Sequence, residues 1–187
     1  GVSLQPQPPP CASWVSLIAV LSVGLFMISR KLGTGARART GKSVRGPATA
    51  TVAQLSGFDE VIDVRSEGEF AEDHVPGAVN CPALTNEERA RVGTIYKQRS
   101  AFEAKKIGAA LVGANIARHL NERFLDRPRA WRPLVYCWRG GERSGAVAHV
   151  LAQVGWDVAR LAGGYQSYRR AVIADLERLP GELRWRV

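Results

Sequence analysis

The chain has 187 residues, 45% of them hydrophobic, which suits one domain of ordinary size with extensions. Its net charge of +9 would point to nucleic acid or an anionic surface, but residues 1–50 hold Arg30, Lys31, Arg37, Arg39, Lys42 and Arg45 with no acid, so residues 51–187 carry 20 basic against 17 acidic side chains, a net of +3. The three cysteines, Cys11, Cys81 and Cys137, are odd in number and lack a CxxC pair, which argues against a disulfide framework and for a reducing compartment; His74, His119 and His149 show no zinc-ligand spacing with them, so no metal site is expected.

Residues 1–50 read as an N-terminal extension. Its apolar segment, residues 12–28, is about the shortest that crosses a hydrocarbon core of ~30 Å, and the basic flank after it would face the cytoplasm. A cytoplasmic protein is the favoured reading, with an anchor through residues 12–28 as the alternative. GARARTGKS, Gly35 to Ser43, ends like a phosphate-binding loop. Five residues rather than four separate Gly35 from Gly41, and Arg37 and Arg39 stand where backbone would have to approach phosphate; the segment reads as a basic linker.

From Thr51 to Pro180 the pattern is that of a folded domain. TVAQL opens it as a short strand or a turn into a helix. VIDV is a compact apolar run, a buried strand. EGEFAEDH predicts a short helical turn, and VPGAVNCP a turn at Pro76-Gly77 followed by a short strand. TNEERARVGTIYKQ predicts a helix capped by Thr85 or Asn86, with acids in its first turn. FEAKKIGAALVGANIARHLNERF is the longest helical pattern, with Ile107, Leu111, Ile116 and Leu120 recurring along it. RPLVYC is a second buried strand. Arg143 to Val154 then predicts a helix presenting Val147, Val150, Leu151 and Val154 on one face. DVARLAGG is a strand ending in a glycine pair, and YQSYRRAVIADLERL a helix stopped by Pro180-Gly181. Short apolar strands alternating with helices imply a parallel α/β sheet.

The stretch YCWRGGERSG places a thiol, Cys137, at the end of a strand. In parallel α/β sheets this is where ligands gather. Gly140 and Gly141 let backbone N–H groups turn inward, and the helix beginning at Arg143 or Ser144 favours an anion at its start. Arg139 and Arg143 add positive charge. Such surroundings favour thiolate over thiol, so Cys137 is the expected nucleophile. The spacing Cys137-x5-Arg143 fits two chemistries: chalcogen transfer through a persulfide or perselenide, and phosphate-ester hydrolysis through a cysteinyl phosphate. The second also wants a protonated carboxyl, for which Asp63, Glu69 and Glu142 are available.

IDVRSEGEF, HVPGAVN, the cysteine loop and LAGGYQSYRRAV, in this order, resemble a rhodanese domain. That resemblance implies a five-stranded parallel sheet with helices on both faces. The usual rhodanese loop is one residue shorter between Cys and Arg-Ser; the longer loop is shared with rhodanese-fold cell-cycle phosphatases and keeps cysteine phosphatase chemistry open beside general sulfurtransfer. ERARVGTIYKQ, FEAKKIGAALV, CWRGGERSG and GGYQSYRRAV together are similar to the tRNA 2-selenouridine synthase family. The resemblance covers about Val52 to Val187. It implies replacement of sulfur by selenium in wobble 2-thiouridine of tRNA with selenophosphate as co-substrate, and an association with geranylation of that sulfur, hence geranyl diphosphate. It makes Cys137 the essential cysteine and Trp138, Arg139, Gly140, Gly141, Glu142, Arg143 and Ser144 the anion-binding loop. No cofactor is expected in this chain. In that family a P-loop domain follows the rhodanese domain, so residues 181–187, with LRWRV, are expected to begin that domain.

Asp63 and Arg65 fit a supporting ion pair better than a catalytic one. His74 fits a turn role, and Cys81 a small buried residue better than a partner that resolves a Cys137 persulfide. Trp138 suits a pocket wall, a stacking surface or packing equally. Lys97, Arg99, Lys105, Lys106, Arg118 and Arg123 could line a tRNA track, although a solvated helix face is the usual meaning of such charges.

Overall fold

The computed structural model describes residues 46–182. The apolar segment 12–28, the basic linker through Ser43 and the terminal LRWRV lie outside the described residues. Five strands, β1 (Ala48–Ala50), β2 (Glu60–Asp63), β3 (Val79–Asn80), β4 (Pro133–Tyr136) and β5 (Ala159–Leu161), form one sheet in the order β1-β5-β4-β2-β3. Every pairing is parallel: Ala48 opposes Ala159, Val135 opposes Arg160, Ile62 opposes Val135, and Ile62 also opposes Val79. The helices are α1 (Glu67–Glu72), α2 (Asn86–Gln98), α3 (Ala101–His119), α4 (Glu142–Val154) and α5 (Gly164–Glu182), with a 3-10 turn at Val52–Gly57 and a wider helical turn at Leu120–Phe124.

Strand β4 shows why the sheet is covered on both sides. Successive side chains of a strand point to opposite faces. Val135, with Cys137 just past the strand end, joins Ile62, Ile116, Val147, Ala148 and Leu151 in the core beneath α3 and α4. Leu134 and Tyr136 join Ala50, Leu161 and Tyr165 on the opposite face, against α5 and the 3-10 turn. A strand buried on both faces reads as an unbroken apolar run, as PLVYC does.

Most helix starts were legible. The Thr85 hydroxyl accepts from the Glu88 N–H while the Glu88 carboxylate accepts from the Thr85 N–H at 2.9 Å, so Thr85 is the cap of α2. The structure differs at four places. TVAQL is the 3-10 turn, and the first strand lies before it, at Ala48–Ala50, ahead of the predicted domain start at Thr51. ATA is too short and too small to show a strand period; only its bonds to β5 define it. The long helical pattern is a regular α-helix only to His119; the wider turn Leu120–Phe124 follows directly and delivers Phe124 to the core. Val154, predicted on the apolar face of α4, is exposed, because the helix stops there at Gly155 with φ of 113°. Helix α5 runs through Pro180 to Glu182; a proline near the end of a helix removes one ladder bond and leaves the turns before it intact.

Candidate active site

Cys137 follows β4 directly, and its sulfur lies 3.2 Å from the Ser144 hydroxyl in the first turn of α4. Both residues are buried. Between them the chain must reverse within a few residues. Gly140 makes this possible: its φ is 70°, and a Cβ there would lie 2.9 Å from the Leu161 carbonyl oxygen. The loop is held from below by the start of α5, where the Tyr165 N–H donates to the Cys137 carbonyl at 2.8 Å and the Gln166 N–H to that of Trp138 at 3.0 Å. This explains the glycine pair at the start of α5. Gly164, with φ of 61°, runs directly under the loop, where any side chain would overlap the Cys137 carbonyl.

The charge on the sulfur follows from its surroundings. Burial by itself pushes the Cys137 thiol up; the Ser144 hydroxyl, the Ser144 N–H, the Arg143 charge and the Gly141 N–H outweigh it, and the pKa lies below that of an ordinary thiol. A thiolate only accepts, so facing it the Ser144 hydroxyl turns its one proton to the sulfur rather than to the Gly141 carbonyl, which lies equally near at 3.2 Å. Cys81 shows the contrast: buried in the same apolar cluster without such donors, its thiol is pushed up to about 11.

Ser144→Ala is therefore expected to raise the Cys137 pKa. The midpoint of its carbamidomethylation by iodoacetamide, followed against pH by peptide mass spectrometry, moves to higher pH than in the parent chain, while Cys81 stays unmodified in both. An unchanged midpoint would show that the hydroxyl does not stabilise the thiolate.

Arg143 is the arginine that acts on the sulfur. Its guanidinium is also bound to Glu69, with Nη1 donating to Oε2 at 2.7 Å. Glu69 sits in the first turn of α1, where it accepts from the Ser66 N–H and faces Arg89 Nε at 3.5 Å. Burial alone would raise the Glu69 pKa, but Arg143, the Ser66 N–H and Arg89 together lower it, so the carboxylate is held ionised. Arg139, given equal weight in the sequence, is exposed at the rim of the loop. Glu142 also points away: its side chain is 88% exposed and faces Lys105 at 3.7 Å.

Asp63 and Arg65 lie beneath the site. Arg65 Nη2 meets Asp63 Oδ2 at 2.6 Å and the Asp73 carbonyl at 2.6 Å, and the guanidinium lies over the Tyr165 ring at 4.1 Å, with Trp138 at 6.0 Å. The Tyr165 hydroxyl donates to the Asp73 carboxylate. This buried cluster ties the end of β2 to the loop after β4 and the start of α5. His74 stacks on Phe70, ring centroids 3.9 Å apart, with Nδ1 at 2.9 Å from the Phe70 carbonyl.

Beside the loop opens a cleft of about 440 Å³, lined by Ser66, Glu69, Glu72, Asn86, Arg89, Trp138 and Arg143. Trp138, half-buried, forms one wall. Ser66, Glu72, Asn86 and Arg89 carry no local mark of a cleft in the sequence beyond the serine three residues before Glu69, a helix-start pattern. Asn86 and Arg89 arrive from α2, and nothing in their own sequence shows which strand end they flank. Among the described residues no group of three His, Cys, Asp or Glu side chains is placed to hold a metal ion, and no helix is long and apolar enough to cross a membrane.

The rhodanese-like domain family matches residues 48–171. The chain is 39% identical over 122 residues to a tRNA 2-selenouridine synthase of Nitrosomonas europaea, covering 63% of this chain and 31% of that protein. It is 40% identical over 127 residues to one of Proteus mirabilis, covering 64% and 33%. The chain thus spans about a third of the length of the curated relatives it matches. Among solved structures, the N-terminal domain of a Clostridium difficile 630 protein named for ATP/GTP binding is similar at 35% identity and a TM-score of 0.58, over 67% of this chain and 99% of that one.

Proposed function

Because this chain belongs to the rhodanese-like domain family, we propose that it is the cysteine-bearing domain of a tRNA 2-selenouridine synthase, with Cys137 as the nucleophile in replacing the sulfur of wobble 2-thiouridine by selenium. A sulfur or selenium transferase is the class that the family and the relatives' names support. The Clostridium difficile neighbour, an N-terminal domain of a protein named for nucleotide binding, supports a division of labour between this domain and a nucleotide-binding one.

The observation that carries this reading is the Cys137 sulfur faced by the Ser144 hydroxyl, with Glu69, the carboxylate bound to Arg143 of the same loop, held ionised. Glu69 is held ionised by Arg143, Asp63 accepts from Arg65 through both oxygens, Glu142 faces solvent, and Glu72, on the cleft wall, is exposed on α1. Hydrolysis of a phosphate ester expels an alkoxide, which needs a proton donor. Selenide and thiolates are far weaker bases and leave without one. The site therefore favours chalcogen chemistry over a cysteine phosphatase.

Electron balance defines the step for each donor. With a sulfane-level donor, the thiolate attacks the terminal chalcogen, the bond to the carrier breaks with its electron pair on the carrier, and a persulfide or perselenide anion remains on Cys137. With selenophosphate, the balanced step is attack at phosphorus: an S–P bond forms, the Se–P bond breaks, and selenide leaves with the pair. The N–H groups of Gly141 and Ser144 and the Arg143 guanidinium would hold the resulting anion.

The test is anaerobic incubation of the 187-residue chain with thiosulfate or with selenophosphate, followed by intact-protein and peptide mass spectrometry without reductant. The expected result is a covalent sulfur or phosphoryl adduct on Cys137, with selenide released in the second case, and neither product from Cys137→Ser. Equal selenide release by Cys137→Ser, or no adduct with either donor, would sink the assignment.

A further inference from the structure

The hairpin of α2 and α3 carries the positive excess of the domain. Residues 91–106 hold Arg91, Lys97, Arg99, Lys105 and Lys106 against Glu103 alone, a net of +4, whereas residues 51–187 as a whole total +3. Everything else in the domain is close to neutral. All five basic residues are exposed. Lys105 faces Glu142 at 3.7 Å, with the two side chains 66% and 88% exposed, a pair that solvent screens. Arg91, Lys97 and Arg99 have no acidic partner among the described residues.

Two aromatic rings project from the same tip. Tyr96 is 61% exposed at the end of α2, and Phe102 is 69% exposed at the start of α3, with Lys106 Nζ over its ring at 5.1 Å. Every other Phe, Tyr and Trp among the described residues is at least half-buried. Between the helices lies a groove of about 390 Å³ lined by Arg91, Thr94, Ile95, Gln98, Arg99 and Ile107, an apolar floor under two guanidiniums, an amide and a hydroxyl. Helix α2 links this tip to the cleft: it begins at Asn86 and Arg89 in the cleft wall, and a helix of 13 residues spans about 20 Å.

Basic side chains interleaved with exposed rings are what single-stranded nucleic acid requires, charge for phosphates and π-faces for bases. An acidic peptide would use the charges and leave the rings unexplained. We propose that the α2–α3 hairpin is the docking arm for the single-stranded loop of an RNA whose target nucleotide enters the cleft beside the Cys137 loop, between Trp138 and Arg143. This rests on the reading of the chain as acting on tRNA. The tip holds the flanking nucleotides through Lys97, Arg99, Tyr96 and Phe102, and the target base reaches the Trp138 wall one helix length away.

The test is fluorescence anisotropy of the 187-residue chain with a labelled RNA stem-loop carrying 2-thiouridine in its loop, at two salt concentrations. Lys97→Glu with Arg99→Glu is expected to weaken binding by roughly tenfold to a hundredfold and to flatten its salt dependence. Tyr96→Ala and Phe102→Ala each weaken it by roughly tenfold with the salt slope unchanged. The charge-matched pair Arg129→Glu with Arg170→Glu, off the hairpin, has a much smaller effect. Adduct formation on Cys137 with thiosulfate, which needs no RNA, is unchanged in all four variants. Failure of that reaction in the parent chain, with RNA binding still mapped to the hairpin, would count against the transfer chemistry and leave the arm standing. Equal losses in the off-hairpin pair, no binding of the RNA by the parent chain, or displacement of the RNA by polyglutamate as readily as by unlabelled RNA would each overturn the arm.

Discussion

Asp63→Ala is expected to destabilise the domain by about 3–5 kcal/mol, the range for removing one partner of a buried ion pair. Arg65 and Asp63 are 1% and 0% exposed. The Asp63 carboxylate accepts from the Arg65 backbone N–H at 2.9 Å, from Nε at 3.1 and 3.0 Å, and from Nη2 at 2.6 Å. Without it the guanidinium keeps one carbonyl and three aromatic faces, too little to replace the solvation it lost on burial. Small domains have total stabilities of about 5–15 kcal/mol, so this one change removes a large fraction. Urea unfolding of the two chains measures it. A loss below about 1 kcal/mol would mean that water reaches the guanidinium. Asp63→Leu with Arg65→Met separates the causes: if the uncompensated charge dominates, the double variant recovers much of the loss.

Gly164→Ala is expected to be the second large effect, and to act on the thiolate as well as on stability. The residue has φ of 61°, and a Cβ there would overlap the Cys137 carbonyl and lie 2.9 Å from the Arg139 backbone nitrogen. Those are backbone atoms, which cannot yield without moving the loop. Left-handed backbone costs a non-glycine residue about 1–2 kcal/mol, and overpacking adds about 1–3 kcal/mol. Gly155→Ala is the control: its φ is 113°, and nothing lies within 4 Å of its Cβ position, so it carries the first cost alone. Gly164→Ala should therefore lose more in urea unfolding than Gly155→Ala, and only Gly164→Ala should slow iodoacetamide modification of Cys137 near neutral pH. Equal losses and unchanged reactivity would show that the loop does not rest on Gly164.

The fold was legible where the chain signals locally. VIDV and PLVYC announce strands buried on both faces, and Thr85 announces α2. Strand β1 was not legible, because three small residues carry no period and are a strand only by virtue of their bonds to β5. The site divides the same way. Cys137, Gly140 and Ser144 come from one continuous stretch, and covalent adjacency alone puts the thiol at a strand end and a helix start. Arg139 and Glu142 belong to that stretch too, but their orientation depends on the loop path, which turns both outward.

What the sequence determined by itself is a cysteine at the end of a parallel strand and ahead of a helix start, because strand, glycine loop and helix are consecutive in the chain. Only the tertiary structure decided which groups set its charge and its surroundings. Glu69, 74 residues before Arg143, holds that arginine and is itself kept from acting as an acid. Gly164 lies under the loop because β5 is the neighbour of β4. Asn86 and Arg89 line the cleft because α2 starts beside the first turn of α1, where the Asn86 side chain accepts from the Gly68 N–H at 3.0 Å. Strand order brings these residues together, and no local pattern of side chains encodes it.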